Sequence, residues 1–170
     1  MSSVPLRRLP HGARDTIHPA SPGLTIRRAT AGDAQAIGSL YLASRDDALP
    51  GLHNAHTDDE IRGWIARVQL PRDDVWITER DGTMLGFIAL HDGWVEQLYL
   101  APACYRQGIG TALLAIAKRH NPRELRLFCF QRNSRARAFY EANGFHAVRF
   151  SDGSDNEERE PDIEYVWARA

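Results

Sequence analysis

With 170 residues, the chain is long enough for one domain around one hydrophobic core and too short for two. Its apolar fraction of 43% and charged fraction of 25% exclude a largely disordered chain and a fibrous repeat. A formal net charge of −1 gives no whole-molecule field that would hold a polyanion, so no nucleic-acid partner is expected.

Residues 1–22 contain Pro5, Pro10, Pro19 and Pro22 and no apolar secretory core, so they are expected to form a flexible N-terminal tail ahead of a domain at 23–170. No run approaches the roughly 18 apolar residues that cross a bilayer. Cys104 and Cys129 read as reduced thiols, and the expected location is cytoplasmic.

Alternation from Leu24 to Ala29 predicts a first strand. Asp33 then opens a helix whose apolar residues Ile37, Leu40 and Tyr41 recur at helical spacing to about Ser44. Thr57 with Glu60 forms a capping box for a second helix bearing Ile61, Trp64, Ile65 and Val68, and Pro71 is expected to end it. Val75 to Arg80 and Met84 to His91 form a hairpin about Asp81-Gly82, a dipeptide that tolerates positive φ. Asp92-Gly93 leads into a third antiparallel strand, Trp94 to Leu100. A helix from Gly108 to about His120, a buried strand from Leu125 to Phe130 and a helix from Ser134 to Asn143 follow, the last closed by Gly144. Phe145 to Phe150 and Ile163 to Trp167 complete a mixed α/β domain, joined by an acidic loop.

The segment from Trp94 to Leu114 runs from strand through a glycine-bearing loop into a helix N-terminus, a junction whose free N–H groups and dipole suit a phosphate or diphosphate. A plain tight turn explains Gly108 and Gly110 equally well when they are read alone. A Walker loop is excluded because Gly110 precedes Thr111 and Ala112 rather than Lys and Ser or Thr. A dinucleotide fingerprint is excluded because Leu113 stands at its third glycine.

Two motifs then become specific. Leu98-Tyr-Leu100-x-Pro102 is followed by Tyr105-Arg-Gln-Gly108-Ile-Gly110, and a separate Asn133-Ser-Arg-Ala136-x-x-Phe139-Tyr140-Glu-x-x-Gly144-Phe145 lies downstream. In both motifs and in element order, Leu24 to Trp167 resembles the GNAT acetyltransferases. Tyr105 departs from the pattern, which has Arg or Gln there. The resemblance implies the GNAT acyl-CoA N-acyltransferase fold, about seven strands with four helices, whose fourth and fifth strands are splayed around acetyl-CoA.

It further implies that main-chain amides from Arg106 through Gln107, Gly108, Ile109 and Gly110 to Thr111 hold the diphosphate. Leu98, Tyr99 and Leu100 would lie along the pantetheine arm, with a backbone N–H near Leu98 or Tyr99 facing the thioester oxygen. Asn133, Arg135, Ala136 and Phe139 match cofactor-contacting positions, although Asn133 also reads as the N-cap of its helix. Tyr140 matches the tyrosine that protonates the departing thiolate, and it also reads as a core tyrosine. Glu96 is the expected general base, because simple alternation puts it on the face of Leu98 and Leu100. A surface carboxylate explains it nearly as well.

The implied acceptor is a small-molecule or peptide amine. Asp152, Asp155, Glu157, Glu158 and Glu160 crowd one acceptor-side loop and favour a cationic one, though a solvated acidic loop is the plainer reading. His53 and His56 are spaced like a metal pair without a third ligand, so no metal is expected, and they or Trp64 or His91 remain open as pocket residues. Arg123, Arg126, Arg132, Arg135 and Arg137 raise an RNA-directed alternative, and a non-catalytic CoA sensor is the other. GNAT domains often pair, so a homodimer is among the expectations.

Overall fold

The computed structural model describes residues 16–17, 23–53 and 55–169. The strands are β1 (Thr16–Ile17), β2 (Leu24–Arg28), β3 (Asp74–Arg80), β4 (Thr83–His91), β5 (Trp94–Leu100), β6 (Glu124–Phe130), β7 (His146–Phe150) and β8 (Asp162–Ala168). The helices are α1 (Ala34–Ala48), α2 (Asp58–Trp64), α3 (Leu70–Arg72), α4 (Ile109–His120) and α5 (Ser134–Ala142). A π-helical segment, Ile65–Gln69, joins α2 to α3, so the helices form four bodies as expected. Of the expected tail, only Thr16–Ile17 is described, and it adds a short edge strand against Arg27 and Ile26. The rest of 1–22 lies outside the described residues.

All strands belong to one mixed sheet ordered β1-β2-β3-β4-β5-β6-β8-β7. β3 to β5 form the expected antiparallel meander, turning at Asp81 and Gly82 with φ of 50° and 76°. Helices cover both faces, which is why β4 is a continuous apolar run rather than an alternating one. Phe87 and Ala89 pack under α1 and the π segment with Ile37, Tyr41 and Ile65. Ile88 and Leu90 pack on the other face with Leu113, Leu114 and Ile116 of α4.

Two boundaries differ from expectation. Pro71 does not stop the second helix, which continues through Arg72 until Asp73 turns extended at ψ 154°. A proline within a helix removes one N–H and crowds the carbonyl of residue i−4. Here the preceding turn is widened, with Leu70 N–H reaching the Ile65 carbonyl in a π bond. Helix α1 also runs to Ala48 rather than Ser44, because Asp46 and Asp47 sit on its exposed side and the Leu49 N–H still reaches the Arg45 carbonyl.

Candidate active site

Parallel β5 and β6 share a single register pair, Trp94 with Arg126, closed by the Arg126 N–H donating to the Gly93 carbonyl at 3.0 Å. Beyond that point the strands part. The resulting cleft, of about 130 Å³, is lined by Glu96 to Tyr99 of β5, Phe128 to Phe130 of β6, and Asn133, Ala136 and Tyr140 at α5. Arg45, Ala48 and Leu49 close it from α1. The split follows from a bulge: Leu90 of β4 pairs with Val95 while Ala89 pairs with Gln97, leaving Glu96 as the extra residue. A bulge bends its strand and sharpens the local twist, which carries β5 away from β6.

The same bulge corrects one expectation. Glu96 does not share a face with Leu98 and Leu100, because the extra residue resets the alternation. Leu98 and Leu100 pack into the α4 side of the core, whereas the Glu96 carboxylate lies 4.0 Å from Arg72 of α3 on the opposite side. Gln97 is on that side too, accepting a 2.8 Å hydrogen bond from the buried Gln69 amide.

The expected phosphate loop follows β5. Arg106 and Gly108 both hold positive φ, 62° and 78°, which bends the chain sharply before α4. The first main-chain bond of α4 runs from the Ala112 N–H to the Gly108 carbonyl at 3.0 Å. The N–H groups of Ile109, Gly110 and Thr111 therefore have no acceptor within their own helix. A Cβ at Gly108 would meet nothing within 4 Å, so the loop is open on that side. Gly110 serves a different need. A Cβ there would stand 2.9 Å from the Phe139 ring, so its absence lets α5 pack against the start of α4. Ile109 is fully buried and anchors the loop, and the Gln107 amide donates back to the Ala103 carbonyl at 3.0 Å.

On α5, the Asn133 side chain accepts from the Ala136 N–H at 3.1 Å, the N-cap role, and Asn133 also lines the cleft. Tyr140 is buried among the rings of Phe139, Phe145 and Tyr165. Burial, with the neighbouring Cys129 adding to it, pushes its phenol above the ordinary tyrosine value. Burial also lifts the Cys129 thiol to about 12, so it stays protonated beside the cleft. Arg135 points away from the cleft, donating to Asp47 of α1 at 2.9 Å and lying 3.9 Å over the Tyr105 ring.

A family model for the acetyltransferase (GNAT) domain matches residues 71–147. Peptidyl-lysine N-acetyltransferase YiaC of Escherichia coli is 33% identical over 124 residues, covering 72% of this chain and 84% of that protein. The chain belongs to the GNAT acetyltransferase family. It is an acyltransferase, and the acetyl donor of the family is acetyl-CoA. Two solved structures share the GNAT fold at lower identity. E. coli YjaB in its apo form has a TM-score of 0.71 and 22% identity, covering 86% of this chain and 99% of that one. PaiA N-acetyltransferase of Thermoplasma acidophilum, solved with coenzyme A, has a TM-score of 0.64 and 23% identity over 86% and 99%.

In this GNAT domain the loops after α1 and between β7 and β8 are tied together. The largely buried Arg45 donates to Glu158 at 3.0 Å and to the His53 carbonyl at 3.2 Å, and the His56 ring lies 3.1 Å from Glu157. Glu160 pairs with Arg132 at 3.1 Å. The acidic loop is therefore less free than its composition implies. The arginine strip is likewise dispersed: Arg126 pairs with Glu124 and Glu164, and Arg137 with the Gln131 carbonyl and Tyr165. His91 lies 3.5 Å from the buried Asp73, and Trp64 sits under Arg72 at 5.9 Å.

Arg45 and Gln97 line the cleft and were not among the expected site residues. The sequence does carry a signal for Arg45, which continues the buried stripe Ile37, Tyr41 at a four-residue spacing. A cation on the apolar face of a helix needs a partner inside. Among the described residues, no helix is long and apolar enough to cross a membrane.

Proposed function

We propose that this protein is a cytoplasmic N-acetyltransferase that moves the acetyl group of acetyl-CoA to a primary amine by direct attack, with both substrates bound at once. The observation that carries the reading is the opening of the sheet beyond Trp94 and Arg126, with Glu96 and Tyr140 both lining it and the phosphate loop beside it. Acetyl-CoA supplies an activated thioester; the chain supplies position and protons. Main-chain amides from Arg106 to Thr111 hold the diphosphate, and Leu98, Tyr99 and Leu100 flank the pantetheine arm. An N–H near Leu98 or Tyr99 donates to the thioester oxygen as it gains charge. Asn133, Ala136 and Phe139 complete the cofactor wall.

Glu96, turned to the acceptor side by its bulge, takes the proton of the attacking amine. Tyr140 gives its proton to the sulfur as the new C–N bond replaces the C–S bond. The phenol, raised by burial, is protonated at neutral pH and ready for that task. The cleft's charged lining is one cation, Arg45, against the carboxylates Glu96 and Asp162, which favours a cationic acceptor. The lysine-directed activity named for YiaC agrees with that balance and supports a peptide lysine as acceptor.

The test is acetyl-CoA consumption across lysine-containing peptides, peptide N-termini, polyamines, aminoglycosides and amino acids. Turnover is expected with lysine peptides. Acetyl-CoA binding without turnover on any amine of the panel would favour a sensor and reject the enzyme assignment of Glu96 and Tyr140.

A further inference from the structure

Tyr105 occupies the first position of the phosphate-loop motif, where a cation or an amide is usual, and its ring carries the Arg135 guanidinium at 3.9 Å. We infer that Arg135 is the cation that meets a phosphate of the acetyl-CoA nucleotide, and that Tyr105 is the residue that positions it. This rests on the cofactor placement proposed above.

Arg135 has five N–H donors in one plane, and Asp47 takes one of them at 2.9 Å. Arg132, in the turn before α5, and Arg137, on α5, are committed to Glu160, the Pro50 and Gln131 carbonyls and the Tyr165 hydroxyl. Arg135 spends only one donor, on Asp47, and its side chain is about half exposed. Its pair with Asp47 is about half exposed on both sides, so solvent screens it and the guanidinium keeps its attraction for an arriving anion. A flat aromatic surface suits a planar guanidinium and would hold an ammonium less well. A second guanidinium at position 105 would repel Arg135 at this separation, whereas a phenol ring fixes its plane without competing charge. The aromatic at 105 thus brings a second cation, from α5, to a loop that itself carries Arg106.

The experiment is calorimetric titration of the full chain with CoA and with dephospho-CoA at low and moderate salt. Variants are Arg135→Ala, Arg135→Lys, Tyr105→Phe, Tyr105→Ala and the Tyr105→Ala/Arg135→Ala pair. Arg135→Ala should weaken CoA about tenfold and flatten the salt dependence, and Arg135→Lys should recover only part. Tyr105→Phe keeps the ring and should lose less than Tyr105→Ala does. Tyr105→Ala should lose about threefold alone and nothing further in the Arg135→Ala background, a coupling that a purely structural role would not produce. An Arg135→Ala effect that disappears with dephospho-CoA assigns the contact to the 3′-phosphate, and one that persists assigns it to the diphosphate. Undiminished CoA binding by Arg135→Ala, or an equal Tyr105→Ala loss in both backgrounds, overturns the inference while leaving the cofactor reading intact. Absence of CoA binding by the wild type overturns both.

Discussion

The Arg45 guanidinium lies 3.0 Å from the Glu158 carboxylate although the two residues are 113 positions apart. One side chain on α1 thereby holds the β7–β8 loop, and through the His53 carbonyl it also holds the loop after α1. Replacing Arg45 with Ala leaves Glu158 without its partner and frees both loops. The expected cost is about 1–3 kcal/mol of stability, less than for a fully buried pair because Glu158 is partly exposed. Urea denaturation measures it. Acceptor KM should rise while the Kd for CoA stays at the wild-type value, since the phosphate loop does not depend on Arg45.

Glu157 separates charge from architecture. It is mostly exposed, and among the described residues it pairs with His56. Reversal to Lys should leave stability within about 0.5 kcal/mol. For a cationic acceptor, KM should rise about threefold at low ionic strength and return towards normal in salt, because an exposed charge acts through a screened field. An unchanged KM at low salt removes the loop from any part in attracting the acceptor.

Tyr140→Phe removes a hydroxyl from a ring that still fills its aromatic surroundings. If the hydroxyl serves as proton donor, kcat should fall about 100-fold with the Kd for CoA unchanged. Because burial raises this phenol, loss of its proton lies on the alkaline side of the usual tyrosine range. The wild-type rate should accordingly show no decline from tyrosine ionisation up to about pH 10.

Asp33 gives a test of stability rather than catalysis. The Arg27 guanidinium at 2.9 Å and the Thr30 N–H hold its carboxyl at about 2, against the opposing effect of burial, from an ordinary value of 3.8. A depressed carboxylate contributes stability above its unfolded pKa and loses it as pH falls through the folded one. The contribution, about 1–2 kcal/mol, should therefore be complete at neutral pH and disappear between about pH 4 and pH 2. Asp33→Asn should be less stable than wild type at pH 7, and the gap in urea midpoint should close across that window.

The legible parts of this protein are those written in local chemistry. Asp81-Gly82 announced its turn, Thr57 and Glu60 their cap, and Gly108 the corner before α4, because each requirement is met by neighbours in sequence. Glu96 was read on the wrong face because a bulge is decided by how β5 pairs with β4, and alternation within one strand contains no record of it. Pro71 misled for a related reason, since the widened turn that accommodates it comes from the packing of Ile65 and Gln69 into the core. The contact of Arg135 with Tyr105 and Asp47 joins three distant segments, and only the assembled fold brings them together.

With one register pair bridging β5 and β6, the eight strands act as two leaves of a folder bound near one corner. The stack of Trp94 on Phe128, 5.1 Å between ring centres, sits beside that corner and reinforces the binding. Each leaf keeps its own ladder, so the edges of β5 and β6 beyond that corner are where main-chain groups are left without a strand partner. Whatever enters the mouth therefore meets main-chain groups on both of its sides.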